Sequence, residues 1–343
     1  VRLCTLAQIE LIWLKYIKLK LFFSRINRKL CYALREYMIT RNAYLPYFAL
    51  AAVCLIWGTT YLALRIAVLH FPPFLFSGIR QTVAGLILTG FMFAFSKVKM
   101  PSKQNILHQA IGGFFLMTLG NGLVAWGEVH VPSSIAAIIC SLMPLMVILI
   151  NLSVNREEKP NFPIIIGVAL GLIGIIMIFG EHLSDFSTLN YTLGIITIFG
   201  AVISWAGGSI WIKKHNADSN PFLNAGLQML FGGLFMFPAS LLFDDLSNVS
   251  WSPEAGWSML YLIVFGSIIA YACYSYALRK LPMTIVSMYA YINPLVAVLL
   301  GWMVLDEKLT VRMGIAIIIT VAGIYIVNRG YQVRNLWKAQ FSK

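Results

Sequence analysis

Acidic residues are scarce. Asp and Glu number 13 in 343 residues against 26 Lys and Arg, and all charged residues together make up 11% of the chain. A soluble domain of this size carries roughly a quarter of its residues as charges, so a water-facing surface could not be covered. The five cysteines, at 4, 31, 54, 140 and 273, include no CxxC pair. That removes a thiol metal site, a dithiol redox pair and a disulfide framework. Neither HExxH nor GxSxG occurs, and His70, His108, His130, His182 and His215 stand in loops or at the ends of apolar blocks. No metal and no cofactor is expected from such a pattern.

What is abundant is apolar sequence in long runs. Hydrophobic residues make up 59% of the chain, and the mean hydropathy is +0.79. A bilayer needs roughly 20 apolar residues per spanning helix. Ten such blocks fit, near Leu45–Ala67, Phe74–Phe95, Leu107–Val129, Ser133–Val154, Phe162–Gly180, Tyr191–Ile212, Phe222–Phe243, Trp257–Leu278, Met283–Leu305 and Val311–Asn328. Pro-containing breaks at Pro72-Pro73, Pro221 and Pro282 mark several boundaries.

The net charge of +13 suggests nucleic acid until its placement is examined. Lys97, Lys99 and Lys103 follow the second block, Arg156 and Lys159 the fourth, Lys213 and Lys214 the sixth, and Arg279 and Lys280 the eighth. Arg329, Arg334, Lys338 and Lys343 follow the tenth, while the loops after blocks one, three, five and seven hold no Lys or Arg. Only Lys308 and Arg312, after the ninth, break the alternation. Positive loops remain cytoplasmic, so both termini are expected on that side of a plasma (cytoplasmic, inner) membrane, with no nucleic-acid partner. Residues 1–44 carry nine Lys or Arg among apolar residues. They fit a basic amphipathic helix on an anionic leaflet or an upstream extension ahead of an alternative start at Met38.

The two halves repeat at an offset of about 148 residues. Trp57 falls on Trp205, Pro73-Phe74-Leu75 on Pro221-Phe222-Leu223, Gly78 on Gly226, and Gly85-Leu86 on Gly233-Leu234. With a small drift, Val131-Pro132 matches Leu281-Pro282, Pro144 matches Pro294, and Glu158-Lys159 matches Glu307-Lys308. An odd number of spans per half inverts the second against the first. Such inverted repeats let one rocking motion open a central site to either side. The expected architecture is therefore an all-α polytopic membrane protein, ten transmembrane helices in a 5+5 inverted repeat. Its parts are an N-terminal extension at 1–44, repeats at 45–180 and 191–328, and a basic tail at 329–343.

These features resemble the drug/metabolite transporter superfamily, specifically its EamA-type ten-helix transporters. The resemblance is carried by Trp57-Gly58-Thr59-Thr60, by Asn293-Pro294-Leu295, by Leu305-Asp306-Glu307-Lys308-Leu309-Thr310, and by Gly314 and Gly323 in the last block. It implies export of small metabolites, amino acids or related neutral or zwitterionic solutes or drugs. The expected partners are the solute and the bilayer, with the chain a monomer or homodimer. The alternative from another class is an intramembrane enzyme acting on lipid or a small hydrophobic substrate.

Polar residues inside hydrocarbon face a cavity or a partner, and they nominate the solute path. Arg80 is the only basic residue deep in an apolar block, and Gln228 takes its place in the second half. A guanidinium would grip a carboxylate or phosphate, or it would bond helix-end carbonyls or snorkel to the interface. Arg65, near the end of its block, reads as a snorkelling residue. Asn121 and Trp126 form a second group, with Asn121 either contacting solute or joining two helices. Glu128 and His130 read as solvated boundary residues, so no proton-driven mechanism is expected, and facilitated export or exchange fits better. Tyr271, Tyr274, Tyr289 and Asn293 share helical faces and suit a pore lining or an aromatic belt. Trp57, Thr60 and Trp205 complete the candidate binding set. Pro144 and Pro294 remove backbone hydrogen bonds inside matching blocks and are candidate hinges.

Overall fold

The computed structural model describes residues 44–96, 98–131, 133–154, 161–179, 189–215, 219–249, 252–296 and most of 311–330. The chain divides at Phe48, and the packing described here is that of the unit Ala49–Lys343. Among the described residues every regular element is helical. In a bilayer this is expected, because a helix satisfies its backbone N–H and C=O groups internally.

Among the described residues, six helices are long and apolar enough to cross a membrane: α1 (Tyr44–Val68), α2 (Pro73–Phe95), α3 (Lys103–His130), α7 (Leu189–His215), α8 (Pro221–Phe243) and α9 (Pro253–Lys280). The expected fourth span is divided into α4 (Ser133–Cys140) and α5 (Met143–Val154). The expected fifth is α6 (Phe162–Phe179). Shorter apolar helices, α10 (Met283–Val296) and α11 (Gly314–Val327), lie where the ninth and tenth were expected. The basic N-terminal segment before Tyr44, the turns at 155–160 and 306–308, and the tail after 330 lie outside the described residues.

The local start signals are explicit. Pro occupies the first turn of α2, α8 and α9, where its missing N–H costs nothing. Ser102 and Ser252 accept from the main-chain N–H of Asn105 (3.2 Å) and Ala255 (3.1 Å) at the starts of α3 and α9. Asn220 caps α8 through Phe222 N–H at 2.9 Å. Pro72 cannot do the same for α2; there Asp244, just past the end of α8, accepts from Leu75 N–H at 2.8 Å.

The repeat is visible in the backbone. Both α2 and α8 have 23 residues, and both α3 and α9 have 28. Each of the latter pair carries an eight-residue π-helical segment, Phe114–Asn121 in α3 and Leu262–Ile269 in α9. The α2–α8 crossing is the most extensive helix contact and rests on the glycines matched by the repeat. A Cβ on Gly85 would lie 2.3 Å from Leu230 N, and one on Gly233 would lie 2.5 Å from Thr82 N. The two backbones touch, as small-residue crossings in membranes allow. Helices α6 and α11 meet similarly at Gly167 and Gly323.

Candidate functional site

Between the two halves lies a cavity of about 90 Å³, room for about three water molecules at their liquid volume. Its walls come from α1, α2, α3, the α4–α5 junction, α7, α9 and α10. Of the ten candidate residues, eight line it: Trp57 and Thr60 on α1, Arg80 on α2, Asn121 on α3, Trp205 on α7, Tyr271 on α9, and Tyr289 and Asn293 on α10.

The floor of the site is aromatic. Trp57 and Trp205, matched by the repeat, meet edge to face with ring centroids 5.5 Å apart. Tyr289 lies 4.9 Å and Tyr274 5.2 Å from the Trp57 ring. Tyr271 stacks on Tyr274 at 5.8 Å. Such arrangements satisfy the ring quadrupoles and hold five large side chains in fixed positions. Polar ties lock the ring positions further. The Trp57 indole N–H donates to Gly266 O (2.9 Å), and Tyr274 and Ser209 share a 2.5 Å hydroxyl contact. With its amide nitrogen turned to the carbonyls of Cys54 (3.1 Å) and Tyr289 (3.0 Å), Asn293 joins α10 to α1. Thr60 spends its hydroxyl on Trp57 O (2.8 Å), leaving its methyl against Gly266.

Tyr274 stands behind this layer, fully buried, and supports the cavity rings rather than lining the cavity. Trp126 is elsewhere, its ring 4.4 Å from that of His130. The tyrosines do not form an interfacial belt: Tyr271, Tyr274, Tyr289 and Tyr291 are all buried. The candidate hinges sit beside irregular backbone. The helix breaks at 141–142, just before Pro144, which therefore occupies the first turn of α5, where proline is tolerated. In α10 the interruption is at 287–288, upstream of Pro294.

Arg80 is the only charged side chain lining the cavity among the described residues. It is 4% exposed, which removes the snorkelling alternative. Its Nη2 donates to Asn121 Oδ1 at 3.2 Å, and its buried Nε has no partner. Glu128 corrects an expectation. It was placed at a solvated boundary, yet it is fully buried, and neither carboxylate oxygen has a hydrogen-bond partner. The cause is close backbone approach: a Cβ on Gly127 would lie 3.1 Å from Gly194 O of α7, so the last turn of α3 is drawn inside. Arg65 reaches the same turn and donates to the main-chain O of Glu128. Arg65 and Arg80 are the charged neighbours of Glu128.

Tyr61, Gln81 and Cys140 also line the cavity, although the sequence did not single them out. Tyr61 lies one turn from Trp57 on α1, within reach of the helical-face argument, whereas Gln81 directly follows Arg80 and points about 100° away around α2, so that argument did not reach it. Cys140, which shares the cavity wall with Tyr61, carried no signal beyond its place in an apolar run.

Comparison with known proteins agrees with this architecture. The profile of the EamA-like transporter family matches residues 45–180 and again 192–329. The uncharacterized inner membrane transporter YedA of Escherichia coli is 34% identical over 290 residues, covering 83% of this chain and 92% of YedA. The uncharacterized transporter YoaV of Bacillus subtilis is 25% identical over 276 residues, covering 80% of this chain and 94% of YoaV. A crystal structure superposes with a TM-score of 0.68 at 18% identity, covering 85% of this chain and 98% of that one, and so shares the fold.

Proposed function

Because this chain belongs to the EamA-like transporter family and is a multi-pass membrane transporter rather than an enzyme, we propose that it moves small carboxylate-bearing metabolites outward. Amino acids or related zwitterionic solutes are the class that fits. The carrier has ten spans in two inverted halves, residues 45–180 and 191–328, with both termini cytoplasmic. It lies in the plasma membrane, by analogy with the inner membrane transporter of Escherichia coli. Alternating access takes place about the central cavity, with Pro144 and Pro294 at the moving joints and the chain acting as a monomer or homodimer.

The observation that supports this most directly is the cavity itself. It is walled by helices of both halves, and its one charged group, Arg80, has a free Nε beside an aromatic floor. A buried guanidinium without a full set of partners is costly, and a solute carboxylate would complete it through charge-assisted bonds. Rings and hydroxyls of Trp57, Trp205, Tyr271 and Tyr289 would hold the remainder. A cavity of about 90 Å³ suits a small amino acid better than a nucleotide-sized solute.

The test is counterflow in liposomes with the purified protein and a panel of labelled amino acids, monocarboxylates and amines. Accumulation of carboxylate-bearing solutes, lost in Arg80→Ala, is the expected result. Accumulation confined to amines, or unchanged transport in Arg80→Ala, removes Arg80 from the site.

A further inference from the structure

From Tyr271 on the cavity wall, a chain of polar side chains leads away from the solute site. The Tyr271 hydroxyl, on the cavity wall, donates to Gln228 Oε1 at 2.5 Å. Gln228 Nε2 donates to Gln109 Oε1 at 2.5 Å, and Gln109 Nε2 donates to Asn105 Oδ1 at 2.7 Å. Asn105 lines a second space, a groove of about 650 Å³ where Lys99, Lys214 and the start of α8 meet α3. Gln109 and Gln228 are fully buried and Tyr271 is 1% exposed. An unbroken line of polar side chains thus joins the cavity to the groove through otherwise closed protein.

We infer that Gln109 and Gln228 line a second leg of the solute path, closed in this structure, that runs from the central cavity to the groove at Asn105. This rests on the carrier reading above. Three observations favour a path over a static tie. On the α3 side the closure is glycine: a Cβ on Gly113 would lie 2.4 Å from Gln228 O and one on Gly112 2.5 Å from the Ile212 side chain, so at these two positions α3 places no side chain of its own in the seam. The leg is bounded by irregular backbone, since the π-helical segment of α3 begins at Phe114 and that of α9 ends at Ile269, two residues before Tyr271. Short π-segments inside α-helices frequently accompany functional sites. Finally, the seam has a counterpart by the repeat. Arg80 and Gln228 correspond, and each bonds a cavity residue on the following helix, Asn121 or Tyr271. Swinging the Lys103–Gly113 segment away from α8 would part Gln109 from Gln228 and wet the seam.

The experiment is cysteine accessibility in sealed right-side-out and inside-out vesicles, with a membrane-impermeant methanethiosulfonate and residue-resolved mass spectrometry. Asn105→Cys should react readily from the face that carries the groove. Gln109→Cys and Gln228→Cys should react from that same face, about 10- to 100-fold more slowly, and well above buried Cys54, the internal control. Inert cysteines at 109 and 228 beside a reactive Asn105→Cys would overturn the path. Should either variant fold poorly, hydrogen–deuterium exchange of the unaltered chain decides the same question. Exchange spreading from Asn105 to Gly113 ahead of the α2–α8 crossing supports the leg, and equal protection overturns it. Labelling at 109 and 228 without counterflow leaves the path standing and defeats the solute class. Counterflow with inert cysteines does the reverse.

Discussion

Arg80 and Gln228 occupy the same place in the two halves and differ by one charge. Around them the backbone repeats closely: helices of equal length, paired glycines at the crossing and a π-segment in each following helix. The chemistry does not repeat. The first half sets Arg80 near Arg65 and a buried Glu128, whereas the second sets Gln228 and Tyr271, both neutral, against Gln109 of the first. On the proposed carrier reading, equal backbones would let the halves exchange conformations, and unequal side chains would give the solute a charged partner on one side and a neutral leg on the other.

The severest test of that asymmetry is to place the charge in both halves. Gln228→Arg puts an uncompensated guanidinium among Gln109 and Tyr271, and a loss of about 3–5 kcal/mol, or of folded protein, is expected in thermal unfolding in detergent. Next come the glycines, which test the symmetry of the backbone. Gly85→Leu and Gly233→Leu should destabilise alike, by about 3 kcal/mol each. Gly90→Leu, where nothing lies within 4 Å, should stay within about 0.5 kcal/mol. Unequal effects at 85 and 233 would mean that the crossing is not shared evenly.

Removing the charge instead makes the halves alike. Arg80→Gln should retain the fold and lower transport of carboxylate solutes about 10- to 100-fold, the equivalent of one charge-assisted hydrogen bond at about 1.5–3 kcal/mol; uptake assays in liposomes measure it. The smallest effect belongs to Tyr271→Phe, which leaves Gln228 Oε1 without its donor. Interhelical bonds in membranes average about 0.6 kcal/mol, so a fall of about 1–2 °C in melting temperature is expected.

Much of this arrangement is legible in the order of residues. The pairing of Trp57 with Trp205 and of Gly85 with Gly233 comes from the offset alone, and eight candidates line one cavity because polar and aromatic residues in hydrocarbon have few other places to be. Glu128 was misplaced because its distance from the end of an apolar block says nothing about Gly127 and Gly194, which draw that turn against α7. Tyr274 was expected at the cavity and stands one layer behind it, a difference of helix rotation too small for a periodicity argument to resolve. Gln109 carries no signal of its own, because a single amide near a block end resembles a boundary residue. Only its bond to Gln228 distinguishes it.

Residue order alone settles the solvent and the repeat. A charge fraction this low admits no aqueous surface, and period and offset are properties of the linear chain. Which side chains meet is a matter of packing in three dimensions. Contacts between α3 and α8, or α1 and α9, join residues more than a hundred positions apart, and they depend on the crossing of helices set by glycine backbones in direct contact. The charged and neutral sides of the cavity are a product of that crossing, since composition along the chain records the charges but not the partners they face.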